Sequence, residues 1–304
     1  MDRESFIQKL AGIVGKDKVR IQEPMKFHTS FKIGGPADFL VMPASSGQLR
    51  ELIELGRSEE MPLFVMGNGT NLIVRDQGIR GLVVKITEAF GECRVEDETM
   101  EAEAGILLSR LSNIAWKNGL TGLEFASGIP GTLGGAVVMN AGAYGPEMKD
   151  VIVRTEFLGR DGEIRILQGE EHEFGYRMSH IQKVGGIVLR SVFRLKKGDS
   201  GEIKATMDEL SRRRNSSQPL EMPSAGSIFK RPPGHYAGPM IEGCGLKGFS
   251  IGGAQVSVKH AGFIVNTGNA TASDVIRLIG HIQNKVLDKY GVELHTEVKI
   301  VGEE

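Results

Sequence analysis

Apolar residues return at helical spacing in five places along the chain and gather into short strand-like runs between them. Near the start, Phe6, Ile7, Leu10 and Ile13 recur every three or four residues and predict an amphipathic helix, with Pro24 closing that region. Leu49, Leu52 and Ile53 mark a second helix over 48–57, and further helices are expected around 106–118 and 202–214. The longest begins at Thr271 or Ser273, where Val275, Ile276, Ile279, Ile282, Val286 and Leu287 make one apolar face for packing. Strands are expected at 39–42, 63–65, 72–74 and 81–86, then at 151–157, 163–167 and 187–195, and finally at 255–258, 262–265 and in the closing LHTEVKIVG. The alternation reads as an α+β chain: a small α/β unit, a β-rich α+β unit from about Gly91, and a third unit from near Gln218.

A length of 304 residues exceeds one comfortable core and points to two or three domains. With 40% hydrophobic and 25% charged residues the composition is that of an ordinary globular protein. A net charge of -1 gives no reason to expect nucleic acid or an anionic membrane as partner, so any anionic ligand must meet a local group of Lys and Arg. Cys93 and Cys244 are the two cysteines, which excludes a disulfide framework and a structural zinc site. The seven histidines form no HxxxH or HExxH pair, and no metal is expected. MDRESFIQKL lacks the apolar centre of a signal peptide, and no apolar run has the length of a membrane span, so a cytoplasmic protein is expected.

Two glycine-rich turns change this bland picture. MGNGTNLIV, from Met66 to Val74, follows a short apolar run. In GIPGTLGGAVVMNAGAYG, from Gly128 to Gly145, six of eighteen positions are Gly, with Asn140 and Tyr144 among small residues. Such a segment either forms a tight loop with a glycine-packed strand or wraps a ligand with its backbone amides. A dinucleotide fingerprint starting at Gly67 needs glycine where Leu72 stands, and no P-loop is present, so neither common phosphate motif applies. The run Arg212, Arg213, Arg214 reads either as a favourable helix end or as a phosphate site. Taken singly, Ser227 after a glycine reads as a turn residue, Arg177 as a surface or packing arginine and Glu297 as the exposed residue of an alternating strand.

Seven blocks in order change those readings: IGGPAD, GNGTNLIV, GIPGTLGGAVVMNAGAYG, FGYR, PSAGSIFKRP, KHAGFIVN and TEVKIVG. Over nearly its whole length the chain resembles the UDP-N-acetylenolpyruvoylglucosamine reductase family, in the subtype that lacks an extra substrate-covering loop. The resemblance implies three domains. Residues 1–85 and 86–210 would form a vanillyl-alcohol oxidase / p-cresol methylhydroxylase-type FAD-binding fold, with the closing strand 296–304 returning to the first. Residues 211–295 would form a C-terminal α+β substrate domain. It implies non-covalent FAD held by Gly67, Asn68, Gly69, Thr70, Asn71, Ser127, Gly128, Pro130, Gly131, Gly134, Gly135, Ala136 and Arg214.

The implied reaction is a two-stage reduction in peptidoglycan synthesis. NADPH delivers a hydride to flavin N5; the reduced flavin passes it to C3 of the enolpyruvyl group of a UDP-sugar, and a proton is added at C2. By the same resemblance Ser227 donates that proton and Arg177 stabilises the substrate carboxylate and its enolate. Glu297 lies near that carboxylate, protonated or sharing a proton. Tyr176, Lys230 and His260 are expected substrate contacts, and a monomer is expected. Two rival readings are a flavin-dependent alcohol oxidase of the same fold, with His28 the candidate for a covalent flavin link, and a nucleotide-binding protein without redox chemistry.

Overall fold

The computed structural model describes residues 2–304. Its contacts divide the chain into two compact units. One comprises the chain up to Ile21 with Phe39–Asn68 and Gly81–Arg213; the other comprises Gln22–Asp38, Gly69–Arg80 and Arg214–Glu304. In chain order the elements are α1 (Arg3–Val14), β1 (Val19–Pro24), β2 (Pro36–Val41), α2 (Ser46–Ser58), β3 (Leu63–Met66), β4 (Leu72–Val74) and β5 (Ile79–Lys85). There follow β6 (Cys93–Glu96), β7 (Thr99–Glu103), α3 (Leu108–Lys117), β8 (Leu120–Thr121), α4 (Leu133–Val138), β9 (Ile152–Leu158), β10 (Ile164–Gln168), α5 (His180–Val184), β11 (Ile187–Arg194) and β12 (Lys196–Lys197). The last stretch holds α6 (Ser200–Ser217), β13 (Ser224–Ser227), α7 (Ala237–Gly243), β14 (Ser250–Ile251), β15 (Ala254–Val256), β16 (Phe263–Asn266), α8 (Ala272–Tyr290) and β17 (Lys299–Val301).

In the first unit, the Asp2 side chain accepts the amides of Glu4 and Ser5 and starts α1, and Gly15 at φ 88° ends it. The helix therefore stops at Val14, well before Pro24, and the chain enters β1, a strand whose largely exposed side chains give no alternation to read. Its buried seam is Phe6, Leu10 and Val14, each large side chain contributing about 1.5–3 kcal/mol on burial. A four-stranded sheet has the order β1-β2-β5-β3, with β3 and β5 parallel from Leu63 opposite Leu82 to Met66 opposite Lys85. The first unit's five-stranded sheet is antiparallel, in the order β10-β9-β11-β7-β6, and it shares one core with α1, α2, α3 and α4. The glycine segment holds the six-residue helix α4 and no strand, because Val137, Leu133 and Ala136 are buried on one side while Gly135 is exposed.

The second unit is built on the antiparallel sheet β13-β16-β15-β14. Helix α8 packs Val275, Leu278, Ile279, Ile282 and Val286 into the core of this unit. Leu287, counted on that face by spacing, is 49% exposed, because it lies one residue round from Val286 and faces solvent. A Thr271–Asp274 capping box begins α8 and Gly291 at φ 64° ends it. Asp76 adds to this start, accepting the amides of Ala272 and Ser273 at 2.8 and 2.9 Å. The final strand β17 runs parallel to β4, Lys299 opposite Leu72 and Val301 opposite Val74. Among the described residues no helix is long and apolar enough to cross a membrane.

Candidate active site

The first unit brings the start of the GNGTN turn against the glycine segment. A Cβ on Gly67 would stand 2.2 Å from Thr132 Oγ1, so only glycine allows this approach. Asn68 Nδ2 lies 3.5 Å from the Pro130 carbonyl, at the limit of a hydrogen bond. Within the segment, Leu108 donates its amide to Gly131 O at 3.0 Å, which fixes the loop against α3. The amides of Leu133 and Gly134 are taken by Ile106 O and Ala104 O at 2.9 and 2.8 Å. Gly134 is a packing glycine, since its Cβ would lie 3.1 Å from Ala104 Cβ. Gly135 differs: it is exposed, and the nearest atom to an added Cβ is Thr132 Oγ1 at 3.9 Å. Ser127 and Gly128 are half-buried beside exposed Pro130, and Ala136 is buried under Gly135. The result is a cradle of backbone with small residues on its open side, which fits a flat, phosphate-bearing cofactor.

The same segment is tied to the FGYR loop by side chains. Ser179 Oγ donates to Val138 O at 2.8 Å, Gln182 Nε2 donates to Met139 Sδ at 3.2 Å, and Asn140 Nδ2 donates to Gly175 O at 3.1 Å. Tyr176 and Arg177 occupy the centre of a tight turn closed by Gly175 N to Met178 O at 3.0 Å and Met178 N to Gly175 O at 3.2 Å. Arg177 has φ 55°, the left-handed conformation that this turn position demands and that glycine normally supplies. Holding arginine there costs about 1–2 kcal/mol. The Arg177 guanidinium lies 5.2 Å from the centre of the exposed Tyr176 ring.

Upstream, His172 is buried, with Nδ1 2.9 Å from Gly169 O and Nε2 2.9 Å from Thr155 Oγ1, which in turn meets Ser191 Oγ at 3.0 Å. A carbonyl accepts only, so Nδ1 carries the proton and Nε2 accepts from the threonine. Burial pushes the pKa of His172 below the usual histidine value.

The second unit gathers Ser227, Lys230, His260, Glu297 and Asn71 on a ladder of main-chain bonds. Between the pairs Ser224–Val265 and Ser227–Phe263, β13 carries one residue more than β16, a bulge with Gly226 at φ 78°. The special backbone is thus that of Gly226, and it re-aims Ser227. Beyond the bulge, Ile228 N donates to Gly262 O at 2.9 Å, Glu297 N to Ile228 O at 2.8 Å, and Lys230 N to His295 O at 2.9 Å. Segment 228–230 is therefore held from both sides, by 262 and by 295–297. Asn71 continues the ladder: its Nδ2 donates to Glu297 O at 3.1 Å and its carbonyl accepts from Lys299 N at 2.9 Å. Nearby, Gly69 has φ 65° and its carbonyl accepts from Ser30 N at 3.2 Å, with Thr70 half-buried beside it. The Ser227 hydroxyl donates to Phe229 O at 3.1 Å, so delivering its proton elsewhere requires the O–H to turn.

Gly262 separates Ser227 from His260. A Cβ there would lie 3.0 Å from His260 Cε1, 3.1 Å from Nδ1 and 3.7 Å from Ser227 Oγ. The imidazole is wedged between Gly238 and Gly262, stands edge-on to Phe263, and accepts Gly262 N–H on Nδ1 at 3.0 Å. Burial is the main cause that holds its pKa below the usual value, with Lys247 adding to the effect. A neutral ring with Nδ1 accepting leaves Nε2–H as its donor.

The arginine run is partly committed to its own helix. Arg213 Nε donates to Glu209 Oε1 at 2.7 Å and Arg212 pairs with the same carboxylate. Arg214 lies in the last turn of α6, its carbonyl accepting from Gln218 N at 2.9 Å. His28 Nε2 is bonded to Glu23 Oε1 at 2.9 Å. Sequence reasoning passed over Thr132, Gly262 and the clamp made by Asn140. The sign for Asn140 was a lone amide among small residues, but its partners lie seven and 35 residues away.

The chain matches two family models: "FAD binding domain" over residues 37–168 and "UDP-N-acetylenolpyruvoylglucosamine reductase, C-terminal domain" over 218–301. It is 56% identical over 300 residues to a UDP-N-acetylenolpyruvoylglucosamine reductase from Caldanaerobacter subterraneus, covering 99% of each chain. The UDP-N-acetylenolpyruvylglucosamine reductase structure from Thermus caldophilus superposes with a TM-score of 0.78 at 37% identity, covering 93% of this chain and 98% of that one. Alkyldihydroxyacetonephosphate synthase shares the fold alone, with a TM-score of 0.51 at 17% identity over 65% of this chain and 41% of that one.

Proposed function

The chain belongs to the UDP-N-acetylenolpyruvoylglucosamine reductase family, and we propose residue roles for its reaction. It is an FAD-dependent oxidoreductase with an α+β FAD-binding fold of the vanillyl-alcohol oxidase type. It reduces the enolpyruvyl group of UDP-N-acetylenolpyruvoylglucosamine with NADPH, giving UDP-N-acetylmuramate for peptidoglycan. FAD, when bound, would supply the hydride relay between NADPH and C3 of the enolpyruvyl group. Gly67, Asn68, Gly69, Thr70 and Asn71, with Ser127, Gly128, Pro130, Gly131, Gly134, Gly135, Ala136 and Arg214, would hold that cofactor without a covalent bond. Residues 1–85 and 86–210 with 296–304 are the proposed cofactor region, and 211–295 the proposed substrate region.

As hydride reaches C3, negative charge gathers on the substrate carboxylate as an enolate. The task of the protein is to neutralise that charge and supply a proton at C2. Arg177 holds the carboxylate with its planar fork and stabilises the enolate. Ser227 gives up its hydroxyl proton to C2; serine is a weak acid in water, so Arg177 and Lys230 share in stabilising the alkoxide left behind. Glu297 sits by the carboxylate and completes the proton-sharing set, and Tyr176 and His260 contact the substrate. The observation that supports this reading is the ladder beyond the bulge at Gly226: Ser227 follows the bulge directly, and the carbonyl of the next residue, Ile228, accepts the amide of Glu297 at 2.8 Å.

We propose that the reaction runs in the cytoplasm and that the protein acts as a monomer; light scattering at a mass other than 33.0 kDa would contradict the monomer. The purified protein is expected to be yellow, to release FAD on acid precipitation, and under anaerobic conditions to oxidise NADPH beyond one equivalent per flavin only when enolpyruvyl substrate is present. A colourless protein, or flavin that stays with the precipitate, contradicts the reading and favours a nucleotide-binding protein or a covalent oxidase.

A further inference from the structure

Among the described residues, four of the eight non-glycine residues with positive φ belong to two loops of the first unit: Asn140 (42°), Tyr144 (61°), Glu173 (45°) and Arg177 (55°). Unfavourable backbone persists where surrounding bonds over-determine it, and here Asn140 supplies the bonds. Its side chain is fully buried and each polar atom is used. Oδ1 accepts Lys149 N at 3.0 Å, and Nδ2 donates to Glu147 Oε2 at 2.8 Å and to Gly175 O at 3.1 Å.

The anchoring end is itself fixed. Glu147 pairs with Lys149 Nζ at 3.0 Å, and its own amide donates to Asp150 Oδ2 at 2.8 Å in a reciprocal cap. The other end is the carbonyl that closes the Tyr176–Arg177 turn, since Gly175 O also accepts Met178 N. Asparagine suits the position: it tolerates left-handed backbone and carries donor and acceptor on one short side chain.

We propose that Asn140 is a positioning residue for Arg177: its amide locks Gly175 O and so keeps Arg177 in the left-handed conformation that presents the guanidinium to the substrate carboxylate. This rests on the carboxylate role given to Arg177 above. Asn140 touches neither reacting atom; it acts through the turn.

The test uses the full flavin-loaded chain with Asn140→Gly. Glycine accepts φ 42° without strain, so the variant removes the three side-chain bonds and little else. Amide exchange over 175–178 is expected to quicken about tenfold or more, with β9 and β11 unchanged. Flavin reduction by NADPH should stay within about twofold of the parent, while reoxidation by the enolpyruvyl substrate should slow by roughly 10- to 100-fold, as for a misplaced catalytic group. Because Asn140 acts through Arg177, Asn140→Gly added to Arg177→Lys should cost less than about threefold more than Arg177→Lys alone. Unchanged exchange at 175–178, equal slowing of both flavin steps, or multiplying effects in the double variant would overturn the proposal. If Arg177→Lys alone leaves reoxidation unchanged, the role of Arg177 falls and takes the proposal with it. That failure is recognisable, because Asn140→Gly would still loosen the turn.

Discussion

Arg177 stands on a two-residue turn with left-handed backbone, tied to the rest of its unit through Asn140, Ser179 and Gln182 side chains. Ser227 ends strand β13 and Glu297 lies in a bend just before β17, and the amides of Ile228, Lys230 and Glu297 each donate to a neighbouring main-chain carbonyl. Main-chain bonds survive a change of side chain, whereas a turn docked onto its unit by side chains depends on the identity of each. Around Ser227, a substitution should therefore remove chemistry and leave geometry. Around Arg177, a substitution should move geometry as well.

The largest effect that checks this difference is expected for Ser227→Ala. Turnover should fall by roughly 10²–10⁴-fold, the usual cost of a lost general acid, while thermal stability stays near that of the parent in calorimetry. A large loss of stability would show that the hydroxyl bond to Phe229 O holds the strand. Next comes Arg177→Lys, which keeps the charge and the strained φ but loses the planar fork. It should cost about 2–4 kcal/mol in kcat/KM for the enolpyruvyl substrate, by analogy with a lost oxyanion donor. Near-parent kinetics would make Arg177 a turn-former only.

A smaller effect is expected from Gly262→Ala. The added methyl meets His260 at 3.0 Å and Ser227 Oγ at 3.7 Å, so the wedged imidazole must shift by a few tenths of an ångström. A loss of about tenfold in kcat/KM, with normal flavin content, is the expected result. No loss would mean that the bracket between Ser227 and His260 is packing alone.

The smallest effect concerns His172, whose burial lowers its pKa. The folded chain prefers the neutral ring, so this contribution to stability is complete above the unfolded value of about 6.5 and is lost as pH falls below it toward the folded pKa. Between pH 7 and pH 5 the parent should lose more stability than His172→Gln, by on the order of a few °C in Tm. Equal slopes in thermal scans at the two pH values would remove His172 from this account.

Much of the architecture could be read from periodicity, because the long helix α8 buries one face and β11 buries Leu189, Ser191 and Phe193 in alternation. The glycine segment was open to a strand reading because its few large side chains, Leu133 and Val137, fit either period; the observed helix α4 is six residues long. Strand β1 escaped because its side chains are largely exposed. In the site, Ser227, Arg177 and Glu297 were ordinary residues until seven ordered motifs named them. Nothing in the composition of FGYR signals that an arginine takes the glycine place of a turn; the side chain that bonds the turn, Asn140, lies 35 residues before Gly175.

The central claim is that Ser227 serves proton delivery to the substrate and nothing earlier. Anaerobic rapid mixing of Ser227→Ala separates the two flavin steps by their absorbance. The account predicts that NADPH reduces the bound flavin at close to the parent rate, whereas the enolpyruvyl substrate reoxidises it at least about 10²-fold more slowly. Equal slowing of both steps would contradict it and make Ser227 a residue that shapes the flavin pocket.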